Sequence, residues 1–232
     1  MITLRRSEER GRTQLDWLDS YHTFSFGDYN DSHYMGYRAL RVINEDRIEP
    51  GAGFPNHAHR EMEIVTYVME GAVAHRDSTG TSSVIRPGEV QRMSAGTGIS
   101  HSEYNASKTE PAHFLQIWIV PDQPRLKPGY DQRSVGLEKN AGRWVVMASG
   151  KDPDGAVKIH QDADLLLARL VAGGRVTHRL REGRHAWLQV IRGPVSLNDI
   201  PLKPGDGAAV ESESIVEIAG LNSGEVLLFD LS

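Results

Sequence analysis

The sequence predicts an all-β chain made of two sandwich or barrel units, and three observations carry that reading. Apolar residues gather in short runs rich in β-branched and aromatic side chains, without the longer 3.6-residue pattern of amphipathic helices. Glycine is frequent, 23 of 232 residues, and stands mostly between those runs, where turns need positive φ. A strand, turn and hairpin pattern also occurs twice along the chain. Many short strands with closely spaced turn signals mark such units.

Taken in order, the first clear strand is Glu63-Ile-Val-Thr-Tyr-Val-Met69, and the second is Phe114-Leu-Gln-Ile-Trp-Ile-Val120. Asp162 to Leu170 is apolar enough for a short helix and equally for a strand. Trp187-Leu-Gln-Val-Ile191 follows, and Val226-Leu-Leu-Phe-Asp-Leu231 reads as a closing strand. The repeat relates Glu63 to Gly71, with Arg86-Pro-Gly88-Glu after it, to His185 to Gly193, with Lys203-Pro-Gly205-Asp after it. A hairpin sits inside each copy, at Asp77-Ser-Thr-Gly80 and at Leu197-Asn-Asp199. The two glycines are 17 residues apart in the first copy and 12 in the second, so the second hairpin is shorter. Pro121, Pro124, Pro128 and Gly129 cluster where the copies meet, between residues 122 and 135. The expected division is therefore residues 1–125 and residues 126–232.

Composition narrows the function. Hydrophobic residues make up 39% and charged residues 25%, enough for a packed soluble core. No apolar run approaches the roughly 20 residues of a membrane-spanning helix. The segment Met1 to Arg12 is charged and lacks the apolar stretch of a secretory signal, so a cytoplasmic protein without membrane partners is expected. Absence of cysteine excludes disulfides, thiol catalysis and thiolate metal sites. A net charge of −5 argues against direct nucleic-acid binding. The run Arg5-Arg-Ser-Glu-Glu-Arg10 is read as solvated surface.

The strongest chemical signal is His57-Ala58-His59 together with His101-Ser102-Glu103. Residues i and i+2 of a strand point to one face, so each pair can aim two ligands into one cavity. Three imidazoles and a carboxylate suit one divalent transition metal, with positions left open for water, substrate or O₂. Iron, copper, nickel, manganese and zinc all accept such donors.

Gly51, His57, His59, Glu63 and Gly71 resemble the first cupin motif, and Gly88, Ser94-Ala-Gly96-Thr-Gly98, His101 and Asn105 resemble the second. Glu63 to Gly71 is one residue longer than the usual motif, which points to Glu103 as the replacement for Glu63. His22-Thr-Phe-Ser-Phe-Gly-Asp-Tyr29, Met35-Gly36, Leu40-Arg-Val-Ile-Asn44-Glu-Asp46, His101-Ser-Glu103, Leu115-Gln-Ile-Trp118 and Lys158-Ile-His160-Gln-Asp162 resemble segments of the pirin family. The likeness is strong over about residues 1–120 and moderate beyond. It implies a bicupin, two antiparallel β-barrels of jelly-roll type stacked in one chain, with one metal, usually iron as Fe(II), in the N-terminal barrel. The C-terminal barrel is expected to be metal-free. Counting from Gly193 and Gly205 as the ligands stand from Gly71 and Gly88 reaches Arg179, Arg181 and Ile218, none of which binds a cation. His178 and His185 are read as surface or packing residues.

Several pirins are similar to quercetin 2,3-dioxygenases. The resemblance implies that a flavonol chelates the metal, that Glu103 acts as general base, and that O₂ opens the heterocycle with loss of carbon monoxide. The alternative it implies is an iron-dependent, redox-sensing regulatory module that binds a protein partner. Around the metal, His22, Phe24, Phe26, Met35 and Gln116 are the expected substrate-binding residues, with Tyr29 beside the aromatic wall and Gln116 as hydrogen-bonding support. His33 and His75 are weaker candidates for a pocket or proton relay, and His113 is read as structural. Gly96 and Gly98 are expected to allow the turn that presents His101.

Overall fold

The structure, a computed structural model, describes residues 1–151 and 154–232, apart from the side chain of Glu138. Its strands are β1 (Ile2–Arg5), β2 (Gly11–Leu15), β3 (Leu18–His22), β4 (Leu40–Ile48), β5 (Gly53–His59) and β6 (Glu63–Glu70). Next come β7 (Val73–Asp77), β8 (Ser82–Ile85), β9 (Glu89–Ser94), β10 (Ile99–Asn105), β11 (Ala112–Ile119) and β12 (Gly129–Ser134). The chain continues through β13 (Val145–Ser149), β14 (Val157–Lys158), β15 (Ala163–Leu170), β16 (Arg175–Arg179) and β17 (His185–Arg192). It ends with β18 (Val195–Leu197), β19 (Ile200–Leu202), β20 (Gly207–Val210), β21 (Ile215–Gly220) and β22 (Gly224–Leu231). Two short 3₁₀ turns, Ser7–Glu9 and Leu137–Asn140, are the helical elements among the described residues. No described helix is long and apolar enough to cross a membrane.

Two compact units emerge. One comprises Gly11–Ser134 with Val157–Gln161, and the other Met1–Arg10, Val135–Ala156 and Asp162–Ser232. The division departs from a single cut at residue 125, for two reasons. β12 runs antiparallel along β9 and stays with the N-terminal unit, while β1 pairs with β20 of the C-terminal unit. The same pairing corrects the reading of Arg5 to Arg10 as solvated surface. Arg5 is buried, and Arg6 Nη1 donates to Asp206 at 3.0 Å while the Ser7 amide donates to its other oxygen at 2.8 Å.

The N-terminal unit has a seven-stranded sheet, β12-β9-β6-β11-β4-β3-β2, and a four-stranded one, β5-β10-β7-β8. The predicted strand at 63–69 becomes β6, central between β9 and β11 and buried on both faces as its unbroken apolar run requires. β10 alternates instead. Ile99, His101, Glu103 and Asn105 are buried while Ser100, Ser102 and Tyr104 are less so. Its inward face thus carries polar groups where an ordinary strand carries apolar ones. Apolar clusters gather around Phe114 and around Met93, and Ile99 at the start of β10 packs in the second.

The C-terminal unit repeats the plan, with β1-β20-β17-β22-β15-β13 in the larger sheet and β16-β21-β18-β19 in the smaller. Residues 162–170 resolve into strand β15, because that segment pairs with β13 on one side and β22 on the other. Position by position, β21 corresponds to β10. It sends Val216 and Ile218, both fully buried, into one continuous apolar core. The space that holds polar groups in the first unit is filled with hydrocarbon in the second.

Candidate metal centre

Strand pairing assembles the donors. β10 runs antiparallel to β5 with His101 opposite His57, and a register shift follows between His101 and Glu103. On its other side β10 pairs with β7, placing His101 opposite Asp77 and Glu103 opposite His75. The ligand atoms of His57, His59 and His101 all lie within 4.8 Å of one another. A second such group joins His101 and Glu103 to His75, with Glu103 Oε2 4.0 Å from His101 Nε2. Gly96, at φ +47, shapes the turn before β10, and a Cβ there would meet the Leu126 carbonyl oxygen at 2.0 Å.

The protonation pattern fits a cation. His57 Nδ1 lies 2.8 Å from the Pro55 carbonyl oxygen, which can only accept, so Nδ1 carries a proton and Nε2 is the atom left to ligate. That Nε2 lies 3.1 Å from His101 Nε2, and His59 Nε2 is buried with no hydrogen-bond partner. Burial, then the neighbouring His57, pushes His59 down to about 4, and the same causes with His59 added push His101 down to about 2. His59 and His101 therefore stand neutral, the form that ligates a metal. Glu103, fully buried, is pushed up to about 8 by burial and next by the charge of Asp46. Gln116 Nε2 donates to both carboxylate oxygens of Glu103, at 3.1 and 2.9 Å, which fixes its orientation. The residues present suit a divalent transition ion held by imidazole and carboxylate.

A cavity of about 550 Å³ opens onto these groups. Phe26, Phe54, Trp118 and Leu18 give it apolar walls, while His22, Asn44, Asp46, Ser20 and Gln116 line it with polar atoms. Of the residues expected to bind substrate, His22, Phe26 and Gln116 line the cavity and two do not. Phe24 is buried at 1% exposure, and Met35 is 46% exposed in the loop ahead of the Tyr37–Leu40 bridge. His22 is anchored, its Nδ1 2.8 Å from Asn44 Oδ1 and its Nε2 2.9 Å from Thr13 Oγ1, with Phe26 and Tyr29 against its ring. His33 is exposed beside Asp31, and His113 pairs with Glu45 at 2.9 Å.

Glu63, the cupin-motif carboxylate, is turned away from the imidazoles. Its Oε2 accepts from Ser94 Oγ at 3.0 Å and lies 3.3 Å from His160 Nδ1. Three features escaped the sequence reading: Trp118 against His59, the buried Ser20–Asp46 hydrogen bond, and the His75–Asp77 pair at 3.0 Å. The last had a signal, an i, i+2 pair of histidine and acid at residues 75 and 77, like that at 101 and 103.

Known proteins are similar to this chain in sequence and fold. A family model described as Pirin matches residues 4–119, and one described as quercetinase C-terminal cupin domain matches residues 135–231. The chain is 46% identical over 231 residues to quercetin 2,3-dioxygenase of Escherichia coli K12, covering 100% of this chain and 99% of that one. It is 40% identical to a putative quercetin 2,3-dioxygenase of Pseudomonas aeruginosa, with both chains fully covered. The crystal structure of the bacterial pirin YhhW of E. coli in complex with nickel(II) superposes with a TM-score of 0.94 at 45% identity, covering 100% and 99% of the two chains. Matching family models, full-length identity and a shared fold together establish that the chain belongs to the pirin family.

Proposed function

We propose that this chain is a metal-dependent quercetin 2,3-dioxygenase, using O₂ to open the heterocycle of a flavonol. The observation that carries the reading is three converging imidazoles and a buried glutamate beside a cavity with aromatic walls, large enough for a small polyphenol. The activity named for the E. coli relative supports it. His57, His59, His101 and Glu103 are the proposed ligands and Fe(II) the proposed native ion, with copper, nickel, manganese and zinc suited to the same donors. The nickel complex of YhhW supports a divalent ion in this family. When bound, the ion supplies Lewis acidity toward chelating oxygens and redox chemistry with O₂.

The chain's own residues do the rest. Phe26, Phe54 and Trp118 hold a flat aromatic ligand and keep water out. Glu103 Oε, ionised once a cation is held beside it, takes the proton of the flavonol 3-hydroxyl. Gln116 steadies that carboxyl, and His22, locked by Asn44 and Thr13, offers a fixed polar edge. We read each unit as one cupin barrel, the N-terminal one holding the metal and the C-terminal one metal-free. The shared strand order of the two units and the apolar filling of the second support this.

Oxygen uptake by metal-reconstituted protein, with and without quercetin and with a His101→Ala control, tests the proposal. Uptake that requires both quercetin and His101, with carbon monoxide released, is the expected result. No uptake with iron, copper, nickel or manganese would refute it.

A further inference from the structure

Behind His101, on the side away from the cavity, three buried polar side chains form a line that the chemistry above leaves unused. His75 and Asp77 sit on β7 and Gln91 on β9, and the side chains of His75 and Asp77 are fully buried. Asp77 Oδ1 accepts the amide of Thr79 at 2.8 Å, its hydroxyl at 2.6 Å and the amide of Thr81 at 3.2 Å. An oxygen that accepts three hydrogen bonds belongs to an ionised carboxylate, so the other oxygen also accepts. That oxygen, Oδ2, lies 3.0 Å from His75 Nε2, which must therefore carry the proton. His75 Nδ1 is left as an acceptor. Its single lone pair is shared by two donors, Gln91 Nε2 at 3.2 Å and His101 Nδ1 at 3.5 Å. No other partner of His101 Nδ1 is found among the described residues.

From these directions we infer that the Asp77–His75 pair is the positioning support of His101, accepting its Nδ1 proton and thereby directing the Nε2 lone pair at the metal. The inference rests on His101 being a ligand. A ligating imidazole needs its second nitrogen protonated and held, and outer partners of this kind typically contribute about 10–100-fold in metal affinity. Here the holder is a histidine, itself held by a carboxylate anchored in the β7–β8 turn. Tyr130 closes the outer side, with its ring 5.0 Å from that of His75 and its hydroxyl bonded to Ser83.

The test uses zinc(II) binding by the full chain, with folding checked by circular dichroism. His75→Leu removes the acceptor and is expected to weaken zinc binding about 10–100-fold. His75→Asn keeps an acceptor oxygen near the position of Nδ1 and is expected to restore most of the affinity. A general loss of packing at this position would not produce that split. Nitrogen-15 NMR of zinc-loaded wild type is expected to show His101 protonated at Nδ1, and His75→Leu to disturb that signal. Should His75→Leu be folded and bind zinc as wild type does, the positioning role is overturned. Equal losses in His75→Leu and His75→Asn would overturn it as well. His101→Ala separates the two levels: if that variant keeps full zinc affinity, the ligand assignment itself is wrong.

Discussion

Glu103 is the side chain where burial and chemistry meet most directly. Its carboxyl stays protonated to about pH 8 in the metal-free fold, whereas an unfolded glutamate ionises near 4.5. Between those values the folded state holds the extra proton, so stability falls as pH rises. Below about 6.5 the depressed histidines 59, 75 and 101 act in the opposite sense, because the unfolded chain takes up protons there. The clean window is therefore pH 6.5 to 8, in which Asp46, raised to about 7, adds to the effect. Metal-free wild type should lose on the order of 1–2 kcal/mol across it, and Glu103→Gln clearly less, by urea unfolding at both pH values. The same substitution should lower quercetin turnover at least 100-fold while zinc content falls much less, if Oε is the base. Equal turnover would leave Glu103 a ligand only. That the three histidines and Glu103 converge was legible in the sequence, because strand periodicity puts i and i+2 on one face. Phe24 and Met35 were not, because which residues wall a cavity depends on where the loop from Phe24 to Ala39 runs, and no local period encodes that.

Among the elements, the edge of β6 shows how a motif residue can be put to another use. Glu63 sits fully buried at the start of that strand, beside Ser94 and Arg92 of β9 and His160 of the segment after β14. Glu63→Ala would leave Arg92, which is 9% exposed, short of its buried counter-charge. A loss of about 3 kcal/mol in chemical denaturation is expected, with one metal per chain still bound. A loss of metal without loss of stability would instead make Glu63 a ligand. The strands at 63–69, 114–120, 187–191 and 226–231 were readable because they are apolar, bounded by turns and central in their sheets. The edge strands β1, β2 and β12 were not, since half-exposed polar strands carry little apolar pattern, and pairing partners far along the chain define them.

For the molecule as a whole, one plan is built twice with opposite fillings. Ile218→Ala in the second unit should cost about 2–4 kcal/mol and leave metal stoichiometry at one, measured by denaturation and elemental analysis. A second equivalent of metal in wild type would contradict the assignment of a single centre. The placement of β1 has a consequence for how the chain reaches this state. Its partner β20 lies some 200 residues later, so β1 has nothing to pair with on the ribosome until β20 has emerged. Until then its backbone donors stay open, and β20 in turn has a bare margin able to accept a neighbour's strand. Cutting the gene at the midpoint would therefore not yield two self-sufficient halves. The C-terminal half would lack its border strand, and the N-terminal half would carry a spare one. Joining residues 1–10 to the end of a C-terminal fragment is the rearrangement that would let that half keep to itself in solution.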